Sequence, residues 1–286
     1  MNEAFDTIDR VQNNQSKIVA RSWVISGLND LVKDGVKGEK LRLLTLPGKT
    51  WGFESNLLET EKAIRNKIEE IVGLESQKEI KRAAYTYLKA LRNDYPNIKF
   101  TSICTTDYKF WEPSGNGRSK NNMARLTARV GSGFDMVWLD LMSQWCSGVE
   151  ASLSGIANNI MMFDRAWCNK RAGLLYITVC VGREDYAHMD TFKMVQSSFG
   201  IDHYDKYGDP KYYVRDAGIA TYLNQLTSTH DVFCCPISGD FYKEDGLGDD
   251  NRRRIMYLAG FHILPKTPER ALLIDKLKHM PFTKHF

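Results

Sequence analysis

The sequence predicts an α/β fold: a doubly wound, mostly parallel seven-stranded sheet closed by an antiparallel hairpin near the C-terminus. Three observations predict it. Short apolar runs alternate with helix-period segments from Leu41 to about residue 200, and such alternation builds a parallel sheet with helices on both faces. Several of these runs are apolar on both alternating faces, as in strands covered on both sides. The last two runs follow each other with no helical pattern between them, so they pair antiparallel.

The elements follow in order. Residues 1–40 read as a polar, helical N-terminal extension, with Ile18, Val19, Trp23, Val24, Leu28 and Leu31 forming a stripe of about 3.6-residue period. Leu41–Leu46 is the first strand, and residues 52–67 are helical with Leu57, Leu58 and Ile64 on one face. Ile68–Ser76 holds a second strand, and the helix 77–96 that follows stops near Asn93 and Pro96. Ile98–Cys104, Phe134–Met142 and Gly173–Val181 are the next three strands, with helices expected over 122–129, 148–169 and 186–198. His230–Tyr242 and Arg252–Leu264 form the hairpin, joined by the polar Lys243–Asp250 segment. Residues 201–229 fall outside the repeat and read as an insertion, so the main domain is expected over residues 41–286.

Bulk properties narrow the function classes. With 43% hydrophobic and 26% charged residues the composition is that of an ordinary globular protein. No apolar run reaches the ~18 residues that suggest a membrane span, and the polar N-terminus lacks a secretory pattern. A cytoplasmic protein without a membrane partner is expected. None of the six cysteines is spaced C-x-x-C, and no histidine pair sits at metal-ligand spacing, so no metal site is expected. Cys104, Cys180, Cys234 and Cys235 lie in or beside strand runs, as buried reduced thiols would. The formal charge of +4 permits a nucleic-acid partner without demanding one.

The turn after the first strand, Pro47-Gly48-Lys49-Thr50, is where α/β proteins hold ligands. It ends like a Walker A loop, but the first glycine of G-x-x-x-x-G-K-[ST] would fall at Leu43, inside the strand. It offers only Gly48 and Gly52 toward G-x-G-x-x-G, with Trp51 and Phe53 crowding the approach of a pyrophosphate. Acidic residues follow the second, third and fourth strands: Glu75, Asp107 and Asp140.

This order of strands, with its terminal hairpin and its acids at strand ends, resembles the class I S-adenosylmethionine-dependent methyltransferases over roughly residues 41–264. The resemblance implies S-adenosylmethionine as cofactor. Pro47, Gly48 and Lys49 match the loop under its methionine part. Glu75 matches the acceptor for its ribose hydroxyls, and Thr106 and Asp107 stand where the adenine is met. Asp140 matches the catalytic position that faces the transferred methyl group. Where the family carries an acid at the end of the first strand, Thr45-Leu46-Pro47 stands here.

The loop Tyr108–Asn122 mixes aromatic, glycine and basic residues beside the expected crevice. Trp111, Arg118 and Lys120 are therefore expected substrate contacts, Trp145 is expected to contact the substrate as an aromatic able to stack on a base, and a nucleic acid, RNA or DNA, is the expected methyl acceptor. Trp138 is a further aromatic at hand for stacking on a base. Two other readings stand beside this one: an inactive protein of the same fold that binds nucleic acid or another protein, and a P-loop-like NTPase.

Overall fold

Up to Cys104, strand follows helix in the chain as the alternation predicts. The computed structural model describes residues 15–34, 40–75, 77–104, 129, 133–144, 149, 150, 153, 173–181, 219, 222, 223, 232–244 and 254–265. In chain order these hold α1 (Gln15–Asp34), β1 (Leu41–Thr45), α2 (Gly52–Thr60), α3 (Lys62–Arg65), β2 (Ile68–Glu75), α4 (Lys78–Ala83), α5 (Tyr85–Asp94) and β3 (Lys99–Cys104). Four strands follow: β4 (Met136–Gln144), β5 (Gly173–Val181), β6 (Val232–Glu244) and β7 (Arg254–Pro265). The helices expected at 122–129, 148–169 and 186–198, and the insertion at 201–229, fall wholly or mostly outside the described residues.

The seven strands form one sheet in the order β3-β2-β1-β4-β5-β7-β6. Strands β1 to β5 run parallel. β7 enters between β5 and β6 and is antiparallel to both, so β6 points the same way as β1 to β5. One reversed strand, second from the edge, is the sheet of the class I methyltransferase fold, as the resemblance implied.

The sheet is buried on both faces. Leu43, Ile71, Met136, Trp138, Leu174, Tyr176 and Leu258 share one core with α1, α2 and α5, while Leu44, Val72, Val137, Leu139, Leu175 and Ile177 are buried as well. Burying Leu, Val and Ile side chains at about 1.5–3 kcal/mol each is what holds such a sheet together.

α1 corrects one expectation. Ile18 and Val19 are exposed, and the inward stripe is Lys17, Ala20, Val24, Leu28 and Leu31. The spacing is still helical, but its first member is a lysine, drawn inward by a carboxylate on β4. α1 also makes a close pass over β5: a Cβ added at Gly27 would collide with the Tyr176 hydroxyl oxygen. Among the described residues no helix is long and apolar enough to cross a membrane.

Candidate functional site

The strand order reverses between β1, whose next parallel neighbour in the chain lies to one side, and β4, which lies to the other. In open α/β sheets the crevice outside the carboxyl ends of the strands at such a switch point takes the ligand. A cleft opens here, between the end of β1, the start of α2, β4 and the first two turns of α1.

The turn from β1 into α2 shapes its floor. Pro47 is buried and lines the cleft, and Gly48 takes φ 62°, a left-handed conformation that suits glycine. Trp51 also has a positive φ, 51°, at the N-cap of α2. That conformation costs a non-glycine residue roughly 1–2 kcal/mol; the indole carbons gain from burial, while Nε1 is buried without a hydrogen-bond partner. The ring is fully buried and meets Phe100 edge-on at 6.3 Å. It lies beneath Gly73 of β2, where an added Cβ would come within 2.6 Å of the ring and 2.7 Å of Pro47 Cγ. Trp51 therefore does not crowd the cleft as its size suggested. It turns into the core, and Phe53 alone of the pair lines the opening.

Phe53 packs edge-on against Trp138 at 4.7 Å, and the two rings make the apolar wall. Trp138 Nε1 donates to Thr178 Oγ1 at 3.1 Å, which fixes its ring plane. The polar wall is made of four charged side chains: Lys17 and Arg21 from α1, Glu54 from α2 and Asp140 from β4. Lys17 Nζ lies 3.0 Å from Asp140 Oδ2.

Asp140 ends the regular pairing of β4 with β5, and an irregularity separates it from Gln144. The strand thus runs further than expected, with Asp140 at its break rather than its end. Its Oδ1 is buried and has no hydrogen-bond partner.

Glu54 is the residue the sequence reading missed. It is fully buried, one oxygen accepts a hydrogen bond from the Thr45 hydroxyl, and Oε2 has no partner. Burial pushes its carboxyl above the ordinary glutamate value near 4.5; the Thr45 bond, a backbone bond and Arg21 pull it down, and Asp140 pushes it up. The chain does carry an acid at the end of β1, supplied by α2 and held by the threonine that stands in the acid's place. A glutamate four residues before Leu58, inside the buried stripe of an amphipathic helix, was the signal that could have found it.

The remaining expected positions divide. Pro47 and Asp140 come together in the cleft, while Gly48 and Lys49 belong to its turn. Leu43, where a Walker A loop needs its first glycine, is buried in β1 and paired with Ile71 and Met136. Glu75 stands at the carboxyl end of β2, where Oε1 accepts from the Gln77 amide at 2.9 Å and so helps start α4. Thr106, Asp107, Trp111, Arg118, Lys120 and Trp145 lie outside the described residues. Among the described residues no three His, Cys, Asp or Glu side chains group as a metal site.

No family model and no curated protein matches the chain. Solved structures do resemble it. The plantazolicin methyltransferase BamL, in complex with a triazolic desmethylPZN analog and SAH, is 11% identical, with 91% of this chain and 90% of that one covered at a TM-score of 0.46. The magnesium protoporphyrin IX methyltransferase of Synechocystis PCC 6803, with bound SAH, is 12% identical, with 92% and 94% covered at 0.45. The CurJ carbon methyltransferase is 13% identical at 0.43, and the 87% of this chain that aligns spans 57% of that chain. The strand order, rather than these distant likenesses, carries the fold.

Proposed function

We propose that the chain binds S-adenosylmethionine in the cleft between β1 and β4 and transfers its methyl group to an acceptor. One observation carries this reading: Glu54 and Asp140, each with one buried carboxylate oxygen that has no partner (Oε2 and Oδ1), are both lining residues of one cleft at the switch point of the sheet. Unpartnered buried acceptors are costly, and a ligand that brings positive charge and N–H donors would satisfy both. A phosphate would not, since it would meet like charge.

The aromatic wall of Phe53 and Trp138 suits the apolar arms of a sulfonium. In this reading Arg21 would meet the cofactor's carboxylate, Glu75 would accept from its ribose hydroxyls, and Asp107 is the expected partner of the adenine. When bound, this cofactor supplies an electrophilic methyl group on a positively charged sulfur. The work left to the chain is alignment, which by itself contributes several kcal/mol to a displacement. Asp140 orients the acceptor and takes its proton. The acceptor is read as a nucleic acid from the basic and aromatic residues of Tyr108–Asn122 alone.

The Lys17–Asp140 ion pair favours the second reading, an inactive protein of this fold, because it engages the expected catalytic carboxylate. Calorimetric titration with S-adenosylhomocysteine, with Mg·ATP as control, decides between them. Micromolar binding weakened at least tenfold by Glu54→Gln and by Glu75→Ala supports the first. No binding of S-adenosylhomocysteine removes it, and binding of Mg·ATP instead would favour Lys49 and Thr50 as the ligand turn.

A further inference from the structure

Lysine rarely enters a protein interior, because desolvating its ammonium is expensive unless a partner compensates. The Lys17 side chain is only 8% exposed, and its Nζ reaches 3.0 Å from Asp140 Oδ2 inside the cleft. One helical turn later Arg21 enters the same cleft. An ammonium is also the kind of group that two underpartnered carboxylates would take from a ligand. The chain thus carries, on α1, a copy of the cation that the proposed cleft would receive.

The geometry of α1 suits a movable part. Its C-terminal half is packed firmly, with Val24, Leu28 and Leu31 buried and Gly27 pressed against the Tyr176 hydroxyl. Its first turns bury less: Ile18 and Val19 face outward, and Lys17 and Ala20 are the inward residues. Local opening is drawn from such poorly buried segments.

We propose that Lys17 is an internal competitor for the cation subsite at Asp140, and that the first two turns of α1 form a latch which an entering organic cation displaces. The ligand class is a sulfonium or ammonium compound. The proposal rests on the cleft being the ligand site, and it deepens the preceding reading by making α1 the element that controls access. Like charges in one cleft repel, so the bound cation and the Lys17 ammonium do not share Asp140 at full strength. A methyl donor bearing one more positive charge than its demethylated product feels that competition more.

The test compares wild type with Lys17→Met, which keeps the aliphatic stem, and with Lys17→Gln in case the first variant folds poorly. Calorimetry with S-adenosylmethionine and with S-adenosylhomocysteine should show the variant binding the former about tenfold more tightly, within the range usual for coupled events, and the latter less so. Amide hydrogen exchange of residues 15–22 should speed up in Lys17→Met without ligand, and in wild type with S-adenosylmethionine. Gly27→Ala, which loosens α1 without removing a charge, should speed the same amides. If wild type binds either ligand and Lys17→Met gains nothing, the latch is overturned and the methyl-donor site stands. If no form, Lys17→Met included, binds either ligand, the methyl-donor reading falls and the latch falls with it, because faster exchange in Lys17→Met would then report only a lost ion pair.

Discussion

Among the described residues two glutamates are buried, Glu70 on β2 toward the amino end of the sheet and Glu54 on α2 beside its carboxyl end, and they are treated in opposite ways. Glu70, at the amino end, is gripped on all sides. Arg42 gives it two hydrogen bonds, at 2.7 and 3.0 Å, Lys99 an ion pair at 2.8 Å, and the Thr101 hydroxyl lies 3.2 Å away. Burial pushes its carboxyl up, but the hydrogen bonds and charges of Lys99 and Arg42 outweigh that and hold it below the ordinary value. Glu54, at the carboxyl end, has the Thr45 hydroxyl and a bare second oxygen, and burial wins. A buried carboxylate with every oxygen satisfied is a brace. One left short of partners beside a cleft is what the proposed ligand site rests on.

The largest effect expected is at the brace. Glu70→Gln leaves Arg42 without its carboxylate, and breaking a buried pair on one side costs about 3 kcal/mol. The low end of the usual range applies because Lys99 is 70% exposed and water screens it. The sign with pH follows from the lowered value. Glu70 stabilises the fold above its unfolded value near 4.5, and that contribution is lost as pH falls through its lower folded value. Urea titrations at pH 7 and pH 3 check this. Equal stability of variant and wild type at pH 7 would mean the network is not a brace.

A smaller loss is expected at the carboxyl end, from Gly73→Ala. An alanine in a strand is normally an improvement over glycine, and the φ of Gly73 is not in the left-handed region. Yet the added Cβ would press on the Trp51 ring and on Pro47 Cγ, and overpacking costs about 2 kcal/mol. Trp51→Phe removes the nearer ring atoms and should recover part of that loss in the double variant. If Gly73→Ala is neutral by thermal unfolding, the turn under the cleft is looser than its contacts imply.

These sites also show what a sequence discloses. β5 lies where its apolar run places it, Gly173–Val181, because a strand covered on both faces needs Leu, Ile and Val in succession. The hairpin was legible because no helical pattern parts its strands. Its place was not: β7 inserts between β5 and β6, a choice made by packing across the sheet. Asp140 was legible as an acid interrupting an apolar run. Glu54 was not, because the acid was sought on β1 and arrives from the next helix. Lys17 was less legible still, since a lysine beside Ile18 and Val19 reads as the wet face. Only its pairing with a residue far along the chain turns the helix over. The glycine that makes room for the turn lies in neighbouring β2, where no loop motif would look for it.

The smallest effect is the sharpest test of the comparison, because its sign is opposite at the two glutamates. Burial raises Glu54 above its unfolded value, so its favourable contribution is complete below about pH 4.5 and is lost as pH rises through the higher folded value. Glu54→Gln keeps an acceptor for the Thr45 hydroxyl and removes the charge. The variant should therefore gain on wild type as pH rises, and be more stable at pH 7 by about 1 kcal/mol, as is common when a functional group is removed from a site it strains. Chemical unfolding from pH 4 to pH 8 measures the crossing. A ligand bearing a cation should then bind the variant at least tenfold more weakly, so that stability and affinity move in opposite directions. Were Glu54→Gln instead to lose stability at pH 7, as Glu70→Gln is expected to, both glutamates would be braces. The bare oxygen of Glu54 would then have found its partner within the chain.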